Sequence, residues 1–131
     1  MHKCRAEGCR VQVRHEYLMC PRHWRMVPRE IGVLVTRHWR AGETRGWKKA
    51  VSRAIYAVGV VEGIFRQLAR GIYVHVAKNQ VEMDIPDLLD VYGWEDTEAN
   101  RDLAVEVAMD AAKEVWPDVP LYVTSDGGGS E

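Results

Sequence analysis

A chain of 131 residues, 47% hydrophobic and 28% charged, is long enough to bury a core and is composed like an ordinary globular protein. No run of 18 uninterrupted apolar residues occurs, which excludes a membrane-spanning helix of ordinary length. The formal net charge of −1 hides a bipolar chain, because residues 1–53 carry 13 Lys+Arg against 4 Asp+Glu whereas residues 54–131 carry 5 against 15. Either one half meets a polyanion or the halves neutralise each other.

The first element is a cluster of soft ligands. Cys4 and Cys9 are separated by four residues that include Gly8, which lets the chain fold back and present both sulfurs to one ion. Cys20 and His23 are separated by two, with Pro21 suited to the first position of a helix. Three thiols and an imidazole satisfy a tetrahedral zinc ion and leave no position open for water, so one structural Zn2+ is expected at Cys4, Cys9, Cys20 and His23. Buried or stray thiols are the competing reading, but no cysteine occurs after Cys20. His2 and His15 compete with His23 for the fourth position, and the Cys-x2-His spacing favours His23. Between the pairs, Val11, Val13 and Tyr17 alternate with Gln12, Arg14 and Glu16 at the period of a half-exposed strand or hairpin. Knuckle, hairpin and helix start together predict a treble-clef-like finger over residues 1–27. An odd cysteine count and a ligand-bearing rather than signal-like N-terminus lead to the expectation of a cytoplasmic protein.

Residues 28–71 are expected to form a basic helical pair. Pro28 opens the first helix, whose apolar stripe is Ile31, Leu34, Val35 and His38 or Trp39, and Gly42 stops it. The second is expected from Thr44 to about Arg70 with Gly71 as its cap, on a stripe of Trp47, Val51, Ile55, Val58, Val61, Phe65 and Leu68. Gly59 and Gly63 then read as small residues permitting close packing. Arg45, Lys48, Lys49 and Arg53 crowd the positive end of that helix, which asks for an external anion or an acidic neighbour.

Residues 72–124 read as an acidic ββαβ segment packed on the helices. Ile72, Val74 and Val76 alternate with Tyr73, His75 and Ala77, a turn follows at residues 78–80, and Val81, Met83 and Ile85 return, with Pro86 ending the strand. Residues 87–94 suggest one helical turn and a loop. Thr97 is a good N-cap for a helix over residues 100–115, with Leu103, Val107, Ala111 and Val115 inward and Asp102, Glu106, Asp110 and Glu114 outward. Residues 121–124 are expected as a further strand and residues 125–131, rich in Gly, as a disordered tail. The predicted class is α+β: finger, two helices, then ββαβ in one packed unit.

Three chemistries compete. Arg5, Arg10, Arg14, Arg22, Arg25, Arg29, Arg37, Arg40, Lys48 and Lys49 offer phosphate contacts, and Trp24 offers a ring on which a base could stack, which points to nucleic acid. The acidic half instead offers a surface for a basic protein partner. Catalysis is the weakest: His75, Glu82 and Asp84 alternate with apolar residues and are expected to face solvent, and no phosphate loop, Ser-His-Asp order or His-Glu-x2-His motif occurs. The expectation is a binding protein, not an enzyme.

Residues 4–42 carry a resemblance. Gly8-Cys9, the run Met19-Cys20-Pro21-Arg22-His23-Trp24, the following Val27-Pro28 and the helix end Trp39-Arg40-Ala41-Gly42 resemble short zinc-binding proteins of bacteriophage and prophage genomes, mostly of unassigned function. The resemblance covers about a third of the chain, and the acidic second half departs from the shorter pattern. It implies a structural metal at the four ligands, a phage or mobile-element origin and hence a bacterial host's cytoplasm; it implies no activity.

Overall fold

Two antiparallel sheets and five helices make up the described residues, 1–118, of the computed structural model, an α+β arrangement. The expected strand at 121–124 and the tail at 125–131 lie outside them. At the N-terminus β1 (His2–Lys3) pairs with β2 (Gln12–Val13), His2 opposite Val13. The knuckle between them closes when the Cys4 N–H donates to the Val11 carbonyl at 2.7 Å and the Cys9 N–H to that of Ala6 at 3.1 Å. Gly8 takes φ +80°, a left-handed conformation that glycine adopts without cost. The expected alternation survives only in part. Val13 is buried while Val11 and Tyr17 are exposed, because the strand is two residues long and both of the latter lie outside it.

Pro21 starts the one-turn helix α1 (Pro21–Trp24). Helix α2 (Arg29–Ala41) buries Ile31 and Val35 and ends at Gly42, which is left-handed at φ 71°. Helix α3 (Thr44–Val61) is shorter than its apolar stripe suggested. Gly63 turns left-handed at φ +77°, and the Ile64 N–H returns to the Gly59 carbonyl at 2.9 Å, so the chain leaves the helix one turn past Val58. Val61, expected inward, is 62% exposed, and Phe65 and Leu68 fall on a strand instead. Gly59 does permit a close approach, but of a ring and not a helix: a Cβ there would lie 2.2 Å from Phe65 Cδ2.

The second sheet runs β3 (Phe65–Ala69), β4 (Ile72–His75), β5 (Gln80–Met83), all antiparallel. Gly71 sits in the β3–β4 turn at φ +81° and caps no helix. Every residue of β4 is buried, because both faces of the sheet are covered. On one face Phe65, Tyr73 and His75 pack with Tyr56 of α3, the Tyr56 and Tyr73 rings stacked at 4.4 Å. On the other, Ile72, Val81 and Met83 join Leu88 and Leu89 of α4 (Ile85–Tyr92) and Ala104, Ala108 and Ala112 of α5 (Glu98–Val115). His75 and Asp84 therefore do not face solvent, contrary to the hairpin reading: they are 7% and 0% exposed. Pro86 does not merely end a strand but occupies the first turn of α4, where its missing N–H costs nothing.

Thr97 caps α5 by accepting from the Asn100 N–H at 3.1 Å, as expected. The buried face of α5 is not the expected one. Ala104, Ala108, Met109 and Ala112 lie inward, whereas Leu103, Val107 and Val115 are 43%, 39% and 62% exposed. Small residues let α5 lie close against the sheet, and the larger apolar ones are left at the edge.

A polar junction joins the halves of the chain. Asp87 is 3% exposed and ion-paired with Arg70 at 2.9 Å and Arg53 at 3.8 Å, and Lys49 pairs with Asp90. These carboxylates are the acidic neighbours that the basic start of α3 requires. Beside them Asp84 caps α4, accepting from the Asp87 N–H at 3.4 Å. Burial, and then the negative charge of Asp87, push its carboxyl up to about 7, although the Asp87 N–H and the positive charge of Arg53 favour ionisation. Its Oδ2 and the Ser52 hydroxyl have no hydrogen-bond partner among the described residues.

Two measurements check this packing. Gly59→Ala forces a methyl into the Phe65 ring, which Tyr56, Tyr73 and His75 hold in place, and urea melts are expected to show a loss of about 1–3 kcal/mol. Asp84 binds its proton more tightly when folded, so its contribution is complete below the ordinary carboxylate range and drains as pH rises through about 7. Asp84→Asn keeps the cap and removes the titration. Relative to the parent chain its stability should therefore gain on the order of 1–2 kcal/mol between pH 6 and pH 8.

Candidate metal centre

Three segments converge at the foot of the N-terminal ribbon. The knuckle supplies Cys4 and Cys9, the residue ahead of α1 supplies Cys20, and the third residue of α1 supplies His23. Their ligand atoms all lie within 4.8 Å of one another. His23 Nδ1 is 3.2 Å from Cys20 Sγ and 3.6 Å from Cys4 Sγ. A tetrahedron with metal–sulfur bonds near 2.3 Å and a metal–nitrogen bond near 2.0 Å has edges of about 3.5–3.8 Å, so the spacing fits a metal ion. Cys4, Cys20 and His23 are buried and Cys9 partly so. The same cysteines belong to the apolar cluster formed by Val13, Met19, Ile31, Val35, Val51, Ile55 and Val58, so the centre sits at the edge of the core, not on a detached lobe.

The thiols are unequal. Burial raises the Cys4 thiol above its ordinary value. Burial acts the same way on Cys20, but hydrogen bonds from the His23 backbone and ring and from the neighbouring thiols outweigh it and lower that thiol. A divalent cation bound here would supply the positive charge that several thiolates in so small a volume require.

His23 reaches outward through its other nitrogen. Nε2 lies 2.5 Å from Oε1 of Glu62, whose Oε2 accepts from Arg22 at 2.9 Å. Hydrogen bonding to His23, then the positive charge of Arg22, hold the Glu62 carboxyl below its usual value against the opposing effect of partial burial. A carboxylate on the far nitrogen fixes the tautomer that leaves Nδ1 free to ligate. Sequence reasoning missed Glu62, which lies 39 residues from its partner. One signal was readable: an acid at a helix C-terminus opposes the macrodipole and needs a cation or donor to hold it there.

The remaining site residues scatter. Trp24, Arg29, Arg37 and Arg40 line one groove of about 790 Å³ between α1 and α2, together with Val27, Val33 and Thr36. No carboxylate lines it, and among the described residues Arg29, Arg37 and Arg40 enter no ion pair. Arg22 is held by Glu62, Lys49 by Asp90, and Arg14 lies 3.9 Å from Glu16. Arg10, Arg25 and Lys48 are exposed outside the groove, and the Arg5 N–H bonds the Leu18 carbonyl at 3.1 Å. His15 packs edge-on against Trp39, 6.1 Å between centroids, which leaves it a packing role. His75 Nδ1 accepts from the Lys78 N–H at 3.2 Å, and Glu82 accepts from the Tyr56 hydroxyl at 3.1 Å. With Asp84 buried, these three do not converge on a cation.

No protein-family model, curated protein or solved structure matches the chain.

If Glu62 orients His23, Glu62→Ala should weaken metal retention about 10- to 100-fold in a chelator competition while leaving the stoichiometry of saturated protein unchanged.

Proposed function

We propose that this is a small protein of bacteriophage type in which one structural Zn2+, held by Cys4, Cys9, Cys20 and His23 in a treble-clef-like finger, fixes a basic surface that binds nucleic acid. Zinc is favoured over other ions by the donor set: three thiolates and one imidazole with no oxygen ligand, in a closed four-coordinate arrangement. Its binding contributes folding free energy, on the order of 10 kcal/mol by analogy with finger peptides. The phage origin and a site of action in the bacterial cytoplasm rest on the resemblance of residues 4–42 and on thiols kept reduced. The absence among the described residues of a helix long and apolar enough to cross a membrane is compatible with that setting.

The observation that carries the binding role is the groove. Three guanidinium groups that are unpaired among the described residues, at helical spacing, with an indole beside them and no carboxylate in the lining, form a surface for a polyanion with an apolar component. We read the role as binding because His75, Glu82 and Asp84 do not converge, and His15 and His38 are engaged with Trp39 and Glu43.

A second reading has its own observation. The outer face of α5 carries Asp102, Glu106, Asp110 and Glu114 beside exposed Leu103 and Val107, which suits a basic protein partner such as a host enzyme or defence factor.

Anisotropy titrations of labelled DNA and RNA over a salt series separate the two. Binding should weaken steeply with salt, and the double variant Arg37→Ala/Arg40→Ala should flatten the slope of log K against log salt by about 1.5. No binding to either polymer at low salt would discard the nucleic-acid role and favour the acidic face as the working surface.

A further inference from the structure

Resting on the nucleic-acid role, we infer that the groove between α1 and α2 accommodates an unpaired base, so that the ligand is a single strand and not a duplex. The groove has two chemistries. Its lining combines the guanidinium groups of Arg29, Arg37 and Arg40 with the apolar side chains of Trp24, Val27 and Val33. Arg29 and Arg37 are eight residues apart, about 12 Å along the helix, and Arg40 lies about 4.5 Å further on, so the charges follow the length of the depression. A duplex satisfies only the charged groups: it presents phosphates outward and keeps its base faces stacked inside, leaving the apolar side chains wet. A single strand satisfies both, giving phosphates to the guanidinium groups and a flat π-face to the indole.

The indole is already in position to receive it. Gly32 has no side chain between Trp24 and the helix, and a Cβ there would stand 3.5 Å from Trp24 Cζ2, so the ring lies directly on the α2 backbone with Val27 beside it. Packing on that side holds the ring while the ring still lines the groove. A ring held before binding loses little freedom when a base docks. Thr36, between Arg29 and Arg37 on the same wall, places a hydroxyl that can donate to or accept from any base edge, which suits sequence-tolerant binding.

The test uses the full-length chain and three labelled oligonucleotides of mixed sequence: a single strand, the same strand with its bases removed at internal positions, and the duplex. At low salt the single strand should bind at least 10-fold tighter than the duplex, and the abasic strand should lose about 5- to 100-fold despite its unchanged phosphates. Trp24→Leu, which keeps apolar contact with Gly32, should abolish the advantage of single strand over abasic strand; Lys113→Ala, exposed on α5 away from the groove, should keep it. Equal affinity for all three ligands would overturn this inference and leave phosphate binding intact. Failure of all three to bind at low salt would overturn the nucleic-acid role itself.

Discussion

The imidazole of His23 is the joint on which the rest depends. One nitrogen faces the cysteine sulfurs and the other the carboxylate that closes α3, so a single ring ties the N-terminal ribbon to the longest helix of the basic half. The ribbon cannot hold itself. It has two residues in each strand and one-turn α1 behind it, and isolated pieces of that size are marginal in water. Its order comes from Cys4 and Cys20 entering the core with Ile31, Val35 and Val51, and from closure of the four ligands around one point. The direction of α1, and with it the position of Trp24 over Gly32, follows from that closure.

Charge is cancelled in one place and left open in another. Asp87 and Asp90 neutralise the basic first half of α3, and Glu62 neutralises Arg22, so part of the bipolar composition is internal bookkeeping between the halves. The groove arginines are excluded from it. α4 packs on α3, and no α4 residue lines the groove, which separates structural charges from available ones. At the junction the fold carries a cost, a buried carboxyl with an unpartnered oxygen, where the cap of α4 meets the ion pairs.

The clustering of Cys4, Cys9, Cys20 and His23 was legible in the sequence, because Cys-x4-Cys and Cys-x2-His are local patterns whose geometry depends on the few residues between them. The α2 stripe, the Gly42 stop, the Thr97 cap and the β4–β5 pairing were legible for the same reason. The end of α3 was not. Val58, Val61, Phe65 and Leu68 keep helical spacing across the Gly63 turn, so an apolar period alone could not distinguish one long helix from a helix followed by a strand. The buried face of α5 was misread because size was taken as a guide to burial, whereas close packing on a sheet selected Ala104, Ala108 and Ala112. Glu62 and the partition of the arginines depend on contacts between residues tens of positions apart, which no local pattern encodes.

X-ray absorption at the zinc edge on protein purified without added metal probes the central claim directly. The proposed zinc centre predicts one zinc per chain with three sulfurs at about 2.3 Å and one nitrogen at about 2.0 Å. A chain that folds with substoichiometric metal, or a zinc shell of nitrogen and oxygen alone, would contradict it.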